Sequence, residues 1–268
     1  MSRLQKFVGA VVVLAVVLFL AAPLLLSSSL VKNRIAAQLT RLSGHEVLLA
    51  GDSSLSIFPY LGVTYGRLSV KQSESSLPLM LADGIEARVG LLSALSGQPQ
   101  VTEFTLLKPR LYLEISAEGE KNWTRAEPKL VPQEDSGQIS LIKTVKIEDG
   151  TIAFRDHGND TTLEVRAVNG KLDWPGKIAP MNADLTATWR GKAVNLNATI
   201  GDPTKLLSGG QTGLKFKLSS EFLEIAFSGD NDSGSTKPVT GALKLTSPNL
   251  HDAAGWTGQP IGLASMLG

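Results

Sequence analysis

AVNLNATI, residues 193–200, decides the fold: Val194, Leu196, Ala198 and Ile200 alternate with Ala193, Asn195, Asn197 and Thr199. A period of two puts one set of side chains on each face of an extended chain, so one face is apolar and the other polar. Working outward, the same alternation recurs. Leu214, Phe216 and Leu218 flank Lys215 and Lys217, while Leu185, Ala187 and Trp189 make another stripe. Leu243 and Leu245 flank Lys244, and Leu111, Leu113 and Ile115 alternate with Arg110, Tyr112, Glu114 and Ser116. These are half-buried strands. Turn residues punctuate them at Glu148-Asp149-Gly150, Asp156–Asp160, Asn169-Gly170 and Arg190-Gly191. Connections this short join antiparallel neighbours. The expected fold class is mainly β: an antiparallel sheet with few short helices.

Ahead of the strands the pattern differs. Phe7–Leu26 is a run of twenty residues without a charge. At about 1.5 Å per residue it makes a helix of roughly 30 Å, the thickness of a bilayer's hydrocarbon core. Residues 1–28 are expected to be a transmembrane signal-anchor with Arg3 and Lys6 before it. A cleaved signal peptide is the other reading, with candidate sites at Leu20-Ala21-Ala22 and Ser27-Ser28-Ser29. Val31, Ile35, Leu39 and Leu42 then recur at helical spacing, closed by Gly44, which predicts an amphipathic helix over residues 29–43 packed on its own domain or on lipid. A further short helix is expected near Leu91–Ser96. Long loops are expected over Ala117–Gln138 and Ser228–Pro238, and residues 128–140 divide a first β module (29–127) from a second (141–268). The apolar ending at Ser265–Gly268 reads as a fragment of a longer protein.

Composition narrows the function. Lys plus Arg is 26 and Asp plus Glu 25, a balance that argues against a nucleic-acid partner. The absence of cysteine excludes disulfides, thiolate metal sites and cysteine nucleophiles. His45, His157 and His251 lie at no metal-ligand spacing. Asp156-His157 with Asp160 has the composition of a hairpin turn. No serine sits in a nucleophile elbow, and Gly209-Gly210 with Gly213 lacks the strand-to-helix setting of a phosphate loop. No catalytic residue, metal ligand or cofactor is expected.

The segment GHEVLLAGDSSLSIFPYLGV, residues 44–63, resembles the opening of the AsmA family through Gly44, Val47, Gly51, Leu55, Phe58, Pro59, Leu61 and Gly62. Further similarities follow in order at Ala82–Leu92, Lys108-Pro109-Arg110, Gly119 with Asn122-Trp123, Val145–Asp156 and Val239–Leu250. The resemblance covers most of residues 31–250, the N-terminal portion of such a protein. It implies an anchor in the inner membrane of a Gram-negative bacterium, with the bulk of the chain in the periplasm. It also implies kinship with chorein-type bridge-like lipid transfer proteins, whose β groove carries acyl chains. On that reading the antiparallel sheet is curved and open as a groove, lined by Leu111, Leu113, Ile115, Val194, Leu196, Leu214 and Phe216. Gly44, Gly51, Phe58, Pro59, Gly62, Asn122 and Trp123 are structural, with Trp123 closing the end of a sheet. Implied partners are the membrane, phospholipid and other envelope proteins. A scaffold for outer-membrane protein assembly that touches no lipid fits the same sequence, and a closed sandwich core would show the same stripes.

Overall fold

The computed structural model describes Ala36, Leu39, Thr40 and residues 45–56, 60–71, 78–90, 101–123, 143–176, 179–207, 210–231 and 239–258. The anchor Phe7–Leu26, Gly44, Phe58, Pro59, the helix near Leu91–Ser96 and residues 124–142 lie outside the described residues. Among the described residues no helix is long and apolar enough to cross a membrane.

Thirteen strands form one sheet: β1 (Val47–Ser56), β2 (Gly62–Lys71), β3 (Pro78–Ala82), β4 (Gly84–Val89), β5 (Val101–Leu107), β6 (Arg110–Ile115), β7 (Thr144–Asp156), β8 (Thr161–Asp173), β9 (Met181–Trp189), β10 (Lys192–Ile200), β11 (Thr212–Ser220), β12 (Glu224–Asn231) and β13 (Val239–Thr246). Two short helices follow strands, α1 (Pro203–Leu207) and α2 (Leu250–Thr257). From β7 to β13 each strand pairs with the next, antiparallel.

The first half is simpler than its strand count. Tyr65 faces Ile85 and Leu68 faces Ala82, so one register runs along β2 across the break at Asp83. Likewise Leu107 faces Gly84 and Arg110 faces Leu81. β3 with β4, and β5 with β6, are therefore two long strands, each creased once. Sheet hydrogen bonds continue through both creases: Asp83 N donates to Leu107 O (3.0 Å) and Lys108 N to Glu148 O (2.8 Å). Lys108 and Asp149 carry the crease in left-handed backbone, at φ 47° and 54°.

One expectation is corrected here. The sheet is mixed, because β5 and β6 both run parallel to β7. The connection that allows this leaves β6 at Ile115 and re-enters at Thr144, longer than the turns elsewhere. The parallel ladder puts the strands before and after it in one sheet. Two predicted turns are also corrected. Glu148-Asp149-Gly150 lies inside β7 and Asn169-Gly170 inside β8, as facing bulges. Asp149 N donates to Asn169 Oδ1 (2.9 Å), and Asn169 Nδ2 to Ala167 O (2.8 Å), so side-chain amide groups replace missing ladder bonds. Asp156–Asp160 and Arg190-Gly191 are the hairpin turns they were expected to be. Ser228–Asn231, expected as loop, is the end of β12.

The best-buried cluster lies over β1–β5, around Val63, Tyr65, Leu68, Ile85 and Phe104, and Ala36 and Leu39 pack against it. Ala36, Leu39 and Thr40 are helical, and Ala36 and Leu39 pack on the protein's own sheet. Thr40 Oγ1 accepts from Val47 N (3.0 Å), tying that helix to the first strand.

Candidate functional site

Residues that face each other across neighbouring strands share a face of the sheet. Following those pairs across the molecule gives one row from β2 to β13: Val63, Ala87, Phe104, Val145, Leu172, Ala183, Ala198, Phe216, Phe227 and Leu243. The row beside it on the same face reads Tyr65, Ile85, Leu106, Ile147, Gly170, Leu185, Leu196, Leu218, Ile225 and Leu245. Neither row contains a charged residue. The row between them points to the other face: Thr64, Glu86, Thr105, Lys146, Lys171, Asp184, Asn197, Lys217, Ala226 and Lys244. The alternation seen within single strands is thus kept in register over nine ladders, and the result is a continuous apolar floor backed by a polar surface.

Exposure along the floor grows in one direction. Val63, Ala87 and Phe104 are almost wholly buried in the first cluster. From β7 to β12 most floor residues are half-buried. Leu243 is 55% exposed at the far edge. One margin is covered: Trp256 of α2 packs on Val194, Leu218 and Leu223, with Trp189 edge-on at 4.7 Å and Phe222 at 5.7 Å. Arg190 Nη1 donates to Trp256 O (3.0 Å) near the C-terminal end of α2, where a cation is favoured. Asn249 caps its N-terminus by accepting from His251 N (3.0 Å).

The predicted lining residues divide accordingly. Leu196 and Phe216 are floor residues, and Phe216 stacks on Phe227 at 5.6 Å. Leu214 lies one row out, beside Ile200. Val194 is on the same side but buried under the α2 cluster. Leu111 and Leu113 continue along β6 beyond the crease, opposite Ile152 and Phe154, and both pack on the first cluster. Ile115 stands opposite Asp156 at the strand end. Sequence reasoning missed Phe227 and Ile225, whose own alternation was the available signal, and Trp256, for which only register with Trp189 and Phe222 could have spoken.

Four of the structural residues fall within the described region. Gly51 takes φ 87° at the β1 bulge. Gly62 faces Arg88 at the start of β2. Asn122 closes an exposed edge. β3 reaches β6 only as far as Met80 opposite Leu111, and beyond that point Glu114 N donates to Asn122 Oδ1 (2.9 Å) while Asn122 Nδ2 donates to Tyr112 O (2.9 Å). Trp123 follows and lies 6.3 Å from Phe154.

The polar surface satisfies itself. Lys171 Nζ is 2.6 Å from Asp173 Oδ2, and Thr144 Oγ1 donates to Asp173 Oδ1 (2.8 Å). These bonds, Lys171 first, hold the Asp173 carboxyl below its ordinary range and push the Lys171 ammonium above its own. Asn197 Nδ2 donates to Asp184 Oδ1 (2.7 Å), Thr199 Oγ1 to Asn182 Oδ1 (2.9 Å), and Glu103 sits between Arg88 (3.3 Å) and Lys146 (3.0 Å). Asp156 is held low by Asn159, Gly158 and His157, the last by charge, so the suspected Asp-His cluster is a self-contained turn. Among the described residues no group of three His, Asp or Glu side chains could hold a metal ion.

No family model matches the chain. Protein AsmA of Escherichia coli (strain K12) is 23% identical to it over 218 residues, covering 74% of this chain and 34% of AsmA. The chain is thus similar to AsmA over most of its length. The likeness is distant, and the chain spans about a third of that relative's length, 34%.

Proposed function

We propose that this AsmA-like chain is an envelope protein that withdraws the acyl chains of phospholipid onto the floor of its sheet. Phe7–Leu26 anchors it in the inner membrane with the sheet in the periplasm, and the activity supports outer-membrane biogenesis. The continuous floor carries this reading. From β7 to β13, outside the buried first cluster, its six inter-strand steps of about 4.8 Å give roughly 29 Å of apolar surface. An acyl chain reaches across one leaflet, half of a hydrocarbon core about 30 Å thick, so the floor is longer than any chain it would hold. Each methylene sheltered from water is worth ~0.8 kcal/mol. Contacts of similar kind along the whole floor let a chain slide without a large barrier, while its headgroup stays in water beside the edge. No bond is made or broken, so no acid, base or nucleophile is required.

The test is native mass spectrometry of the full chain purified from a bacterial envelope in mild detergent. Bound phospholipid is expected, and Leu196→Asp, with strand content unchanged by circular dichroism, loses it. Asn197→Asp, on the opposite face, keeps it. A folded, lipid-free wild type would overturn the lipid reading and leave a scaffold that acts through proteins.

A further inference from the structure

The floor ends in two unlike margins. Facing pairs place the floor-side residues of β9 to β13, and Lys192 is the one charged residue among them. It stands opposite Trp189, at the margin where the β9–β10 hairpin turns. The opposite margin of the same face reads Met181, Ile200, Leu214, Gly229 and Gly241, without a charge. The Lys192 ammonium lies 4.9 Å from the centre of the Phe222 ring. Arg190, in the turn, joins it. Its guanidinium carbon is 5.4 Å from the centre of the Trp189 ring, and its Nη1 donates to Trp256 O. Trp189, Phe222 and Trp256 form the aromatic cluster beneath α2, so both cations sit at the rim of one apolar patch.

Such a rim has the composition of a lipid–water boundary. Aromatic rings mark the apolar limit there, and long cationic side chains lay their stems on it while the charge stays in water. Its hydrogen bonding is one-sided. Arg190 and Lys192 only donate, and Trp256 Nε1 is buried with no acceptor. Among the described residues the one carboxylate paired at this rim is Glu221, whose Oε2 is 3.0 Å from Lys192 Nζ. The Glu221 side chain is 63% exposed, and exposed pairs hold weakly, so it yields Lys192 to a better acceptor. We infer that Arg190 and Lys192 bind the phosphodiester of the phospholipid whose chains lie on the floor; this rests on the lipid reading above and adds where the headgroup is held. An arginine offers phosphate oxygens a planar fork of donors, and a lysine adds a point charge. From this rim Ala187 and Leu185 lead along β9 onto the floor, and neither belongs to the cluster under α2. A chain joined to a phosphate held here therefore reaches the floor beside the helix.

For the test, the full chain in mild detergent is mixed with phosphatidylglycerol and diacylglycerol carrying the same acyl chains and purified again, and the bound lipids are counted by mass spectrometry. The two lipids differ only in the phosphate-bearing headgroup, so their ratio reads the rim and their sum reads the floor. Lys192→Gln should lower the ratio of phosphatidylglycerol to diacylglycerol by about ten-fold, the worth of one charge-assisted hydrogen bond. Glu221→Gln, which frees Lys192, should raise it. Lys217→Gln, which removes a lysine paired with Glu224 on the polar face, should leave it unchanged. Inorganic phosphate should lower the ratio no more than chloride of equal ionic strength, because a headgroup tethered to floor-bound chains outcompetes a free anion. Equal ratios in the wild type, Lys192→Gln and Lys217→Gln, with both lipids retained, would overturn the inference and leave the floor intact. So would a ratio that inorganic phosphate abolishes, since the rim would then take a free anion. Retention of neither lipid would overturn the lipid reading itself, and this inference with it.

Discussion

Gly170→Ala is the sharpest single-atom perturbation of this sheet. Gly170 lies in the floor opposite Ile147 and Leu185, at φ 143°. A Cβ there would sit 2.0 Å from the carbonyl oxygen of Asp184 and 2.9 Å from Leu185 Cα. Both are backbone atoms of β9, so no side chain can rotate away. The β8–β9 ladder would have to part, or β8 would have to leave the conformation that its facing bulge with β7 requires. Backbone strain for an L side chain in such a region costs about 1–3 kcal/mol. Opening the ladder strands hydrogen-bonding groups at about 1–3 kcal/mol each. Together the loss should be about 3–5 kcal/mol, which for a domain of this size lowers Tm by roughly 6–20 °C at about 2–4 °C per kcal/mol. Gly213→Ala is the matched control. It has no positive φ, and its Cβ would come no closer than 4.0 Å to Asp230 Oδ1, so it should change stability by less than about 1 kcal/mol. Urea titration followed by far-UV circular dichroism measures both. Equal, small losses for the two variants would refute the bulge geometry and with it the register that aligns the floor across β7, β8 and β9.

Three other outcomes follow from the same structure. Asn122→Ala leaves Glu114 N and Tyr112 O without their partner at the β6 edge and should cost about 1–3 kcal/mol by chemical denaturation; Asn122→Asp keeps the acceptor and should cost less. Trp256→Ala removes the ring that holds α2 to Trp189, Phe222 and Leu223, so the near-UV signal of the aromatic cluster should fall while the strand signal stays; an unchanged near-UV spectrum would contradict that packing. Asp173 is held low by Lys171 and Thr144, so its folded pKa lies below the unfolded value of about 3.9. Its contribution is therefore complete above that value and is lost as pH falls through the folded pKa; Asp173→Asn should flatten the acid limb of the stability curve, and an identical limb in both proteins would count against the bond.

The strands most legible in the sequence are those from β9 to β13. Each is regular and pairs with its sequence neighbour in unbroken register, so Leu185, Leu196, Phe216 and Leu243 alternate without interruption. β7 and β8 resisted reading for a local reason. The left-handed residues Asp149 and Ala167 each insert a position, so Ile147 and Ile152 are five apart and yet both face inward-directed partners. A period-two scan takes such a position for a chain reversal, and Asp149-Gly150 and Asn169-Gly170 have turn composition because a bulge needs the same backbone freedom. The parallel join of β5 and β6 to β7 has no sequence signature, since it depends on where a long connection returns. The floor itself is a property of register. Individual lining residues such as Leu196 and Phe216 were visible, but the alignment of ten strands into two uninterrupted rows was not, because no local pattern records which residue faces which.

The most direct test of that floor is photo-crosslinking in cells. A benzophenone side chain at Leu196, Phe216 or Phe227 would stand on the apolar face, and one at Asn195 or Asn197 on the polar face. The account predicts crosslinks to labelled phospholipid from the first three positions and none from the last two. Equal lipid labelling from both faces, or labelling of protein alone from the apolar positions, would contradict it.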